Sequence, residues 1–215
     1  MPFRNRLEAA ELLARKLSAL RADKPLVLAI PRGAVPMGRV IADALDGELD
    51  VVLVRKLGAP GNPELAVGSV DESGHLYVAE HARTMGVSER YLEREKQAQI
   101  ETMRKRRSEY TPVRAPIDPA GRVVIVVDDG IATGSTMIAA LRAVRARHPK
   151  KLIAAIGVSP PETLARLRNE ADEVVCLEAP EFFYAVGQFF ADFPQVSDQE
   201  VIECLRRPTA GQDQN

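Results

Sequence analysis

Short, wholly apolar runs alternate along this chain with segments of helical periodicity, and this alternation constrains the fold more than any other feature. The run "PLVLAI" leads through the turn "PRGAVPMG" into a helical "RVIADAL", and "DVVLVRKLG" repeats a buried strand that ends in two cations. A third strand at residues 123–127 precedes a helix at about 135–146, and "KLIAAIGVS", "PETLARLRN" and "DEVVCLEAP" are typical of strand, helix and strand. This order predicts an α/β fold, in which a mostly parallel twisted sheet is flanked by helices.

Further helices and a hairpin are predicted outside this alternation. Residues 3–20 have the periodicity of an amphipathic helix, and residues 89–108 that of a long helix with Ser88 as its N-cap. The last turn of the long helix carries "RKRR", residues 104–107, which we interpret as a cationic helix end rather than a phosphate site. "GAPGNPELAVG", residues 58–68, is too rich in Gly and Pro for a regular element and is expected to be mobile. The overlapping "AVGSVDESGHLYVA" predicts a hairpin.

Composition argues against several classes of protein. The 215 residues suit one domain with a sizeable core, since 46% are apolar and 27% are charged. A net charge of −1, from 29 basic and 30 acidic residues, argues against a nucleic-acid partner. No apolar run approaches bilayer length and the N-terminus has no signal-peptide pattern, so we expect a cytoplasmic protein without a membrane partner. Two cysteines and three scattered histidines predict neither a disulfide framework nor a zinc site.

The stretch "VIVVDDGIATGST", residues 124–136, is the most informative about chemistry. Two acids follow an apolar run at the end of a predicted strand, which is where open α/β sheets bind ligands. A turn of small residues between a strand and a helix lets backbone N–H groups approach a phosphate, and hydroxyl side chains add donors. The spacing excludes a P-loop, and no dinucleotide fingerprint is present. Two acids followed by such a turn suit a ribose 5-phosphate, whose hydroxyls would meet the acids and whose phosphate would meet the turn. The alternative is an ordinary strand-to-helix turn with capping acids.

This stretch resembles the 5-phosphoribosyl 1-diphosphate (PRPP) signature of type I phosphoribosyltransferases. The resemblance covers roughly residues 26–175 and departs from the better-known members at Gly130, where they usually carry an aliphatic residue. It implies that Asp128 and Asp129 hold the ribose hydroxyls, take part in catalysis, and contact Mg²⁺ directly or through PRPP and water. It also implies that the following turn binds the 5-phosphate through Ala132, Thr133, Gly134, Ser135 and Thr136.

Two further strand ends match the family in the same order. Arg32 and Gly33 in "PRGA" resemble the diphosphate loop, which offers backbone N–H groups to the leaving group. Arg55 and Lys56 in "VRKLG" resemble the Arg-Lys pair of adenine and orotate phosphoribosyltransferases, and are implied as catalytic contacts to the diphosphate. Either pair alone is more typical of a solvated strand end. Their order along the chain strengthens the resemblance.

The implied reaction also needs a metal ion and a closing loop. Departure of diphosphate builds negative charge on the leaving group, so Mg²⁺ and cationic side chains are implied. The oxocarbenium-like ribose must be kept from water, and the family's flexible loop falls here at residues 58–68. Glu64 is the only ionisable residue in that loop, which lacks the Lys or His of the orotate enzymes.

The acceptor site of the family lies under a variable hood built from the chain ends. The stretch "APEFFYAVGQFFADFPQVSD" contains five of the six Phe residues of this chain. Its central part is similar to the purine-binding stretch of hypoxanthine-guanine phosphoribosyltransferases, although the Gly-to-Asp spacing is one residue longer. The similarity implies acceptor contacts at Phe183, Tyr184, Val186 and Asp192, and packing in the core is the alternative. Nothing in the sequence selects a purine, a pyrimidine or another amine.

The resemblance as a whole implies one phosphoribosyltransferase-like domain at residues 1–207, with a core at about 26–177 and a disordered tail at 208–215. The expected activity is Mg²⁺-dependent transfer of phosphoribosyl from PRPP to a small-molecule nitrogenous acceptor, with release of diphosphate. A regulatory protein that senses PRPP without transfer, and a hydrolase of another ribose phosphate, are the alternatives. Family members are commonly dimers, and the helix at 89–108 offers a homodimer interface.

Overall fold

The core of the protein is a five-stranded parallel sheet. The computed structural model describes residues 3–79, 82 and 84–206, with the backbone alone at 63 and 64. These residues form the strands β1 (Leu26–Ala29), β2 (Glu48–Val51), β3 (Val54–Ala59), β4 (Asn62–Asp71), β5 (Leu76–Val78), β6 (Val123–Gly130), β7 (Lys151–Val158) and β8 (Glu173–Glu178). The core sheet has the order β2-β1-β6-β7-β8, and every neighbouring pair in it is parallel.

Helices cover both faces of this sheet. The α-helices are α1 (Arg6–Lys16), α2 (Val35–Ala44), α3 (Glu89–Tyr110), α4 (Ser135–Arg145), α5 (Pro161–Leu167) and α6 (Asp198–Arg206), with 3₁₀ turns at Ser18–Asp23 and Val186–Phe189. Successive residues of a strand face opposite ways. Ile125 and Val127 of β6 therefore pack in one core with α1 and α2, and Val124 and Val126 in a second core with α4 and α5. The predicted α/β fold is confirmed.

Strands β3 to β5 form a separate antiparallel sheet. The hairpin predicted from "AVGSVDESGHLYVA" is confirmed as β4 and β5. Residues 58–68, expected to be irregular, instead belong to β3, β4 and the tight turn between them. The turn holds Pro60 and Gly61, and a register shift at Gly58 takes up the remaining irregularity. The Gly and Pro content therefore marks a turn and a bulge. The side chain of Glu64 lies outside the described residues.

The second predicted strand, "DVVLVRKLG", divides between the two sheets. β2 ends at Val51 in the core sheet, and β3 begins at Val54 in the antiparallel sheet. The prediction of one buried strand ending in two cations was wrong, because Arg55 and Lys56 lie within β3, which continues to Ala59. The residues between β2 and β3 are themselves apolar and buried. The apolar run therefore shows no break where the chain changes sheets.

Helix α3 has the predicted N-cap but a different basic end. The Ser88 Oγ accepts a backbone hydrogen bond from the first turn of the helix at 3.3 Å. Arg107 is buried: its Nη1 donates to Asp50 Oδ1 at 3.0 Å and its Nε donates to Glu72 Oε2 at 2.7 Å. A third bond, of 3.0 Å, runs from Nη2 to the Val51 carbonyl. The prediction of "RKRR" as a cationic helix end did not include this role of Arg107, which ties α3 to both sheets.

The two ends of the described chain meet beside the core sheet. The Phe3 N–H donates to the Phe189 carbonyl at 3.2 Å, and the Phe3 carbonyl accepts from the Ala191 N–H at 2.9 Å. We call residues 3–5 and 182–194 together the hood. The tail predicted at 208–215 lies outside the described residues. Within the part of the chain that is described, no helix has both the length and the apolar character needed to cross a bilayer.

Candidate active site

The carboxyl ends of β1 and β6 lie side by side in the core sheet. Their parallel pairing aligns Ala29 with Val127. The turns that follow the two strands, at residues 30–34 and 131–134, therefore meet at one edge of the sheet. This edge is where open α/β sheets bind ligands. It brings the predicted diphosphate turn next to the predicted phosphate turn.

Asp128 and Asp129 lie within β6, which runs to Gly130, rather than after the strand as predicted. Their side chains therefore point to opposite faces of the sheet. Asp129 is 8% exposed, and its Oδ2 accepts from Arg6 Nε at 2.7 Å. The same oxygen lies against Gly33, where an added Cβ would be 2.3 Å away. Asp128 is half-buried on the α4 face, and its Oδ1 accepts from the Asp129 N–H at 2.9 Å. The two acids have different surroundings.

Asp128 is costly to ionise in the free protein. Burial raises the pKa of its carboxyl well above that of an ordinary aspartate, and the negative charge of Asp129 adds to the rise. A ligand that donates hydrogen bonds or brings positive charge would stabilise the ionised form. Sugar hydroxyls and a metal ion both do so, which makes Asp128 a candidate ligand-binding group.

Arg6 of α1 is a site residue that the sequence did not reveal. Its side chain is 11% exposed. Besides Asp129, it binds the Pro194 carbonyl, to which Nη1 donates at 2.6 Å, and its guanidinium carbon lies 3.6 Å from the centroid of the Phe193 ring. One buried cation therefore joins the first helix, strand β6 and the hood. Arg6 and Asp129 are 123 positions apart, so no local pattern pairs them.

The predicted phosphate turn is held by α5 and leads into α4. Gly134 has a φ of +73°, and an added Cβ there would lie 2.7 Å from Thr163 Cγ2, so the position requires glycine. The Thr163 hydroxyl donates to the Ala132 carbonyl at 2.7 Å, and Arg166 Nη1 donates to the Thr133 carbonyl at 3.0 Å. Because α5 engages these carbonyl oxygens, the turn is suited to presenting its N–H groups and the α4 N-terminus to an anion.

A cleft of about 480 Å³ lies between this edge of the sheet, β3 and α3. Its lining includes Pro31 of the first turn, Arg55 and Lys56 of β3, Arg106 of α3 and Thr136 of α4. Three cations and one acid, Glu95, therefore line the same cleft as the first turn of a helix. Positive side chains and a helix N-terminus both favour phosphate oxyanions.

The other predicted site residues lie beside the cleft rather than in it. Among the described residues, its lining does not include Arg32, Gly33, Asp128 or Asp129. The peptide bond between Pro31 and Arg32 is cis, and the Arg32 side chain reaches away to α6. Ser135 lines a second cleft of about 370 Å³, which Lys56 also borders. Arg55 and Lys56 therefore share a cleft with Thr136, at the end of the predicted phosphate turn. The two acids line neither of the two clefts.

The phosphoribosyl transferase domain family matches residues 4–194. The chain belongs to this family. Two relatives from Mycobacterium tuberculosis, strains CDC 1551 and H37Rv, are provisionally named phosphoribosyl transferases and are 38% identical over 206 residues, 95% of this chain. The chain spans 46% of the length of these relatives. The predicted family membership is confirmed.

A solved structure shows the same fold at higher identity. The crystal structure of TT1426 from Thermus thermophilus is 45% identical with a TM-score of 0.87, and the match covers 96% of this chain and 98% of that one. A hypoxanthine-guanine phosphoribosyltransferase from Bacillus anthracis is 14% identical with a TM-score of 0.43, covering 83% and 79% of the two chains. A likeness at that distance says nothing about the acceptor.

This chain departs from the better-known pattern of the family at Gly130, and its hood gives the reason. An added Cβ at Gly130 would lie 2.5 Å from Val186 Cγ1 and 2.8 Å from Val158 Cγ1. Val186 of the hood thus occupies the space that a side chain at this position would take. The glycine lets the hood pack directly on the end of β6.

The predicted acceptor residues of the hood differ in their surroundings. Tyr184 is 89% exposed. Phe183 packs against Phe189 with ring centroids 5.3 Å apart, and Val186 covers the strand end. Asp192 is exposed, and its backbone N–H binds the N-terminal segment. Core packing therefore accounts for part of the aromatic cluster, while Tyr184 and Asp192 lie at its exposed rim.

Replacing Gly130 with Ala is expected to destabilise the protein by about 1–3 kcal/mol, because the new Cβ overpacks the contact with Val186. Denaturant unfolding measures the change. The double variant Gly130→Ala/Val186→Ala should recover part of the loss, since Val186→Ala removes the atom that the Cβ would meet. Equal stability of Gly130→Ala and the parent protein would show that the hood does not pack tightly against β6 at this position.

Proposed function

We propose that this chain transfers the phosphoribosyl group of PRPP to a small nitrogenous acceptor and releases diphosphate. The observation that carries the proposal is the cleft that Arg55, Lys56 and Arg106 line together with the start of α4. A ligand with phosphate groups at two ends of a ribose suits cations on one side and a helix N-terminus on the other. Family membership supports phosphoribosyl chemistry.

The remaining ligand contacts are proposed for residues beside the cleft. The turn at residues 132–136 takes the 5-phosphate through backbone N–H groups and hydroxyls. Asp128 takes the ribose hydroxyls, whose hydrogen bonds offset the cost of ionising its buried carboxyl. Asp129, predicted as the second ribose contact, is already paired with Arg6. We therefore propose that Asp129 acts mainly by fixing Arg6 and the hood beside the ribose.

The chemical step needs stabilisation of opposite charges at the two ends of the breaking bond. Arg55, Lys56 and Arg106 stabilise the negative charge that develops on the departing diphosphate. The Asp128 carboxylate stabilises the positive charge on the ribose ring. The small antiparallel sheet forms one wall of the cleft and limits the access of water.

Mg²⁺ fits this site only with ligands that PRPP itself supplies. Within the described part of the chain, no three His, Cys, Asp or Glu side chains cluster as metal ligands. We propose that Asp128 contacts the ion or its water from beside the cleft, while Asp129 is engaged by Arg6. When bound, Mg²⁺ would offset the charge of the diphosphate, and the hard oxygens of PRPP suit that ion.

A PRPP sensor that performs no transfer is the second candidate function. The relatives extend beyond this chain, and a sensor could use the same 5-phosphate turn. The three cations of the cleft favour the enzyme, because a sensor has no leaving group to stabilise. A homodimer remains a proposal from the family resemblance.

The test is incubation with PRPP and Mg²⁺ against a panel of purines, pyrimidines and other amines, with diphosphate release as the measurement. We expect release that depends on one class of acceptor. PRPP binding without release for any acceptor would favour the sensor, and release without an acceptor would indicate hydrolysis. Failure to bind PRPP would exclude both leading candidates.

Arg106→Gln is expected to weaken PRPP binding about threefold to tenfold. A partly exposed cation contributes about 1 kcal/mol to the free energy of binding an anion. Lys105→Gln is the matched control, because Lys105 is the neighbouring cation on the same helix but is exposed and does not line the cleft. Calorimetric titration with PRPP measures both. Equal effects of the two substitutions would show that net charge, and not the cleft, attracts the ligand.

A further inference from the structure

Helix α6 lies beyond the family match but reaches the predicted diphosphate turn. The match ends at residue 194, and α6 begins at Asp198. The Asp198 Oδ2 lies 3.2 Å from Arg32 Nη1, and both side chains are 38% exposed. An element beyond the residues that the family model matches therefore binds a side chain in the predicted diphosphate turn.

The Asp198 carboxylate is itself held in place. Its other oxygen, Oδ1, accepts from the Tyr110 hydroxyl at 2.9 Å. Tyr110 is fully buried at the end of α3, and burial and the Asp198 carboxylate raise the pKa of its hydroxyl, so the hydroxyl stays a donor. Ser197 caps α6 and fixes its first turn, with Ser197 Oγ accepting from the Glu200 N–H at 3.2 Å. Arg32 thus binds an anchored carboxylate.

The diphosphate turn is held from two sides. Pro31 lines the cleft, Gly33 lies against Asp129, and the Arg32 side chain between them points to α6. A side chain that leads away from the cleft is placed to hold the turn, whereas the backbone of the same turn remains next to the cleft. The Arg32 side chain therefore binds α6, while the backbone of the turn is available to a ligand in the cleft.

We propose that Asp198 and Tyr110 are positioning residues, which fix the diphosphate turn through the Arg32 side chain and so set its affinity for diphosphate. The proposal rests on the proposed function, extended by one step: the 31–34 turn, whose Pro31 lines the same cleft as Arg55, Lys56 and Arg106, binds the diphosphate of PRPP together with these cations. It gives α6 a role in the active site that the family match does not include.

The experiment compares two ligands that occupy different parts of the site. Mg²⁺–diphosphate should depend on the 31–34 turn, and ribose 5-phosphate on the 132–136 turn. In calorimetric titrations, Asp198→Asn is expected to weaken diphosphate binding about threefold to tenfold, as for the loss of a partly exposed ion pair that orders a loop. Ribose 5-phosphate binding should stay within about twofold of the parent protein. Glu203→Gln is the control, because it removes one negative charge from an exposed position of the same helix.

Two further variants distinguish a specific effect on the diphosphate turn, through Arg32, from a general loss of structure. Tyr110→Phe should weaken diphosphate binding about twofold to tenfold, which corresponds to one hydrogen bond. In the Arg32→Gln background, Asp198→Asn should have no additional effect, because both act through one contact. Equal weakening of both ligands by Asp198→Asn would overturn the proposal, as would unchanged or tighter diphosphate binding. A parent protein that binds neither ligand would overturn the proposed function and this proposal with it.

Discussion

Asp128→Asn is expected to raise the melting temperature of the ligand-free protein and to weaken PRPP binding about 100-fold, because two hydroxyl bonds to a charged acceptor contribute together about 3 kcal/mol. The stabilisation follows from the sign of the pKa shift. Burial and the charge of Asp129 raise the pKa of Asp128 in the folded protein. Between the unfolded pKa and the raised folded pKa, the folded state retains a proton that the unfolded state has lost, so stability falls as pH rises through that window.

The pH dependence of this effect is itself a test. Above the window the folded protein carries the full cost of the ionised carboxylate, and asparagine removes that cost. Below the ordinary aspartate pKa of about 3.9, the carboxyl is protonated in both states and the advantage of Asp128→Asn should vanish. Thermal unfolding of the ligand-free protein at a series of pH values measures the difference.

Asp129→Asn is the matched control and should act in the opposite direction. It removes the carboxylate that pairs with the buried Arg6, at a cost of about 3 kcal/mol, since breaking a buried ion pair leaves an uncompensated charge. Adjacent and chemically identical residues should therefore shift the melting temperature with opposite signs. A fall in stability for both variants would contradict the assignment of different surroundings to the two acids.

Arg107→Met is expected to destabilise the protein by about 3–5 kcal/mol, the cost of leaving buried partners unpaired. Asp50 is 2% exposed and would be left buried without its guanidinium partner. The same substitution cuts the link from α3 to Glu72, which follows β4 in the antiparallel sheet. Denaturant unfolding should show a lower midpoint, and heating a fall of roughly 10 °C for a chain of this size.

Two variants test whether the Arg107 ion pairs cause that loss. Arg104→Met, at an exposed position of the same helix, should change stability by no more than about 0.5 kcal/mol. Asp50→Asn added to Arg107→Met should recover part of the loss, because it removes the buried charge. If Arg107→Met were as stable as Arg104→Met, the buried network would contribute nothing to holding the two sheets together.

Local patterns were sufficient to predict most of the core. Strands β1, β6 and β7 could be predicted because each contains a short apolar run next to a segment of helical periodicity, and both signals extend over neighbouring residues. The stretch around Asp128 and Asp129 could be related to a ligand because the acids, the small residues and the hydroxyls are contiguous. The hairpin of β4 and β5 was visible for the same reason.

What could not be predicted depends on contacts between distant positions. Arg6 and Asp129 pair across 123 residues, and Arg107 meets Asp50 across 57. The transfer of Arg55 and Lys56 to a second sheet was hidden because the apolar run continues through the change of sheets. The reason for Gly130 lies in Val186 of the hood, which no pattern around the glycine indicates.

A crystal structure of the protein with Mg²⁺ and PRPP tests the central claim most directly. We predict the diphosphate within hydrogen-bonding distance of Arg55, Lys56 or Arg106 and of the 31–34 turn, with the 5-phosphate on the 132–136 turn and the ribose hydroxyls on Asp128. The Arg6–Asp129 and Arg32–Asp198 pairs should persist. PRPP bound elsewhere, or bound with its diphosphate away from these cations, would contradict the account.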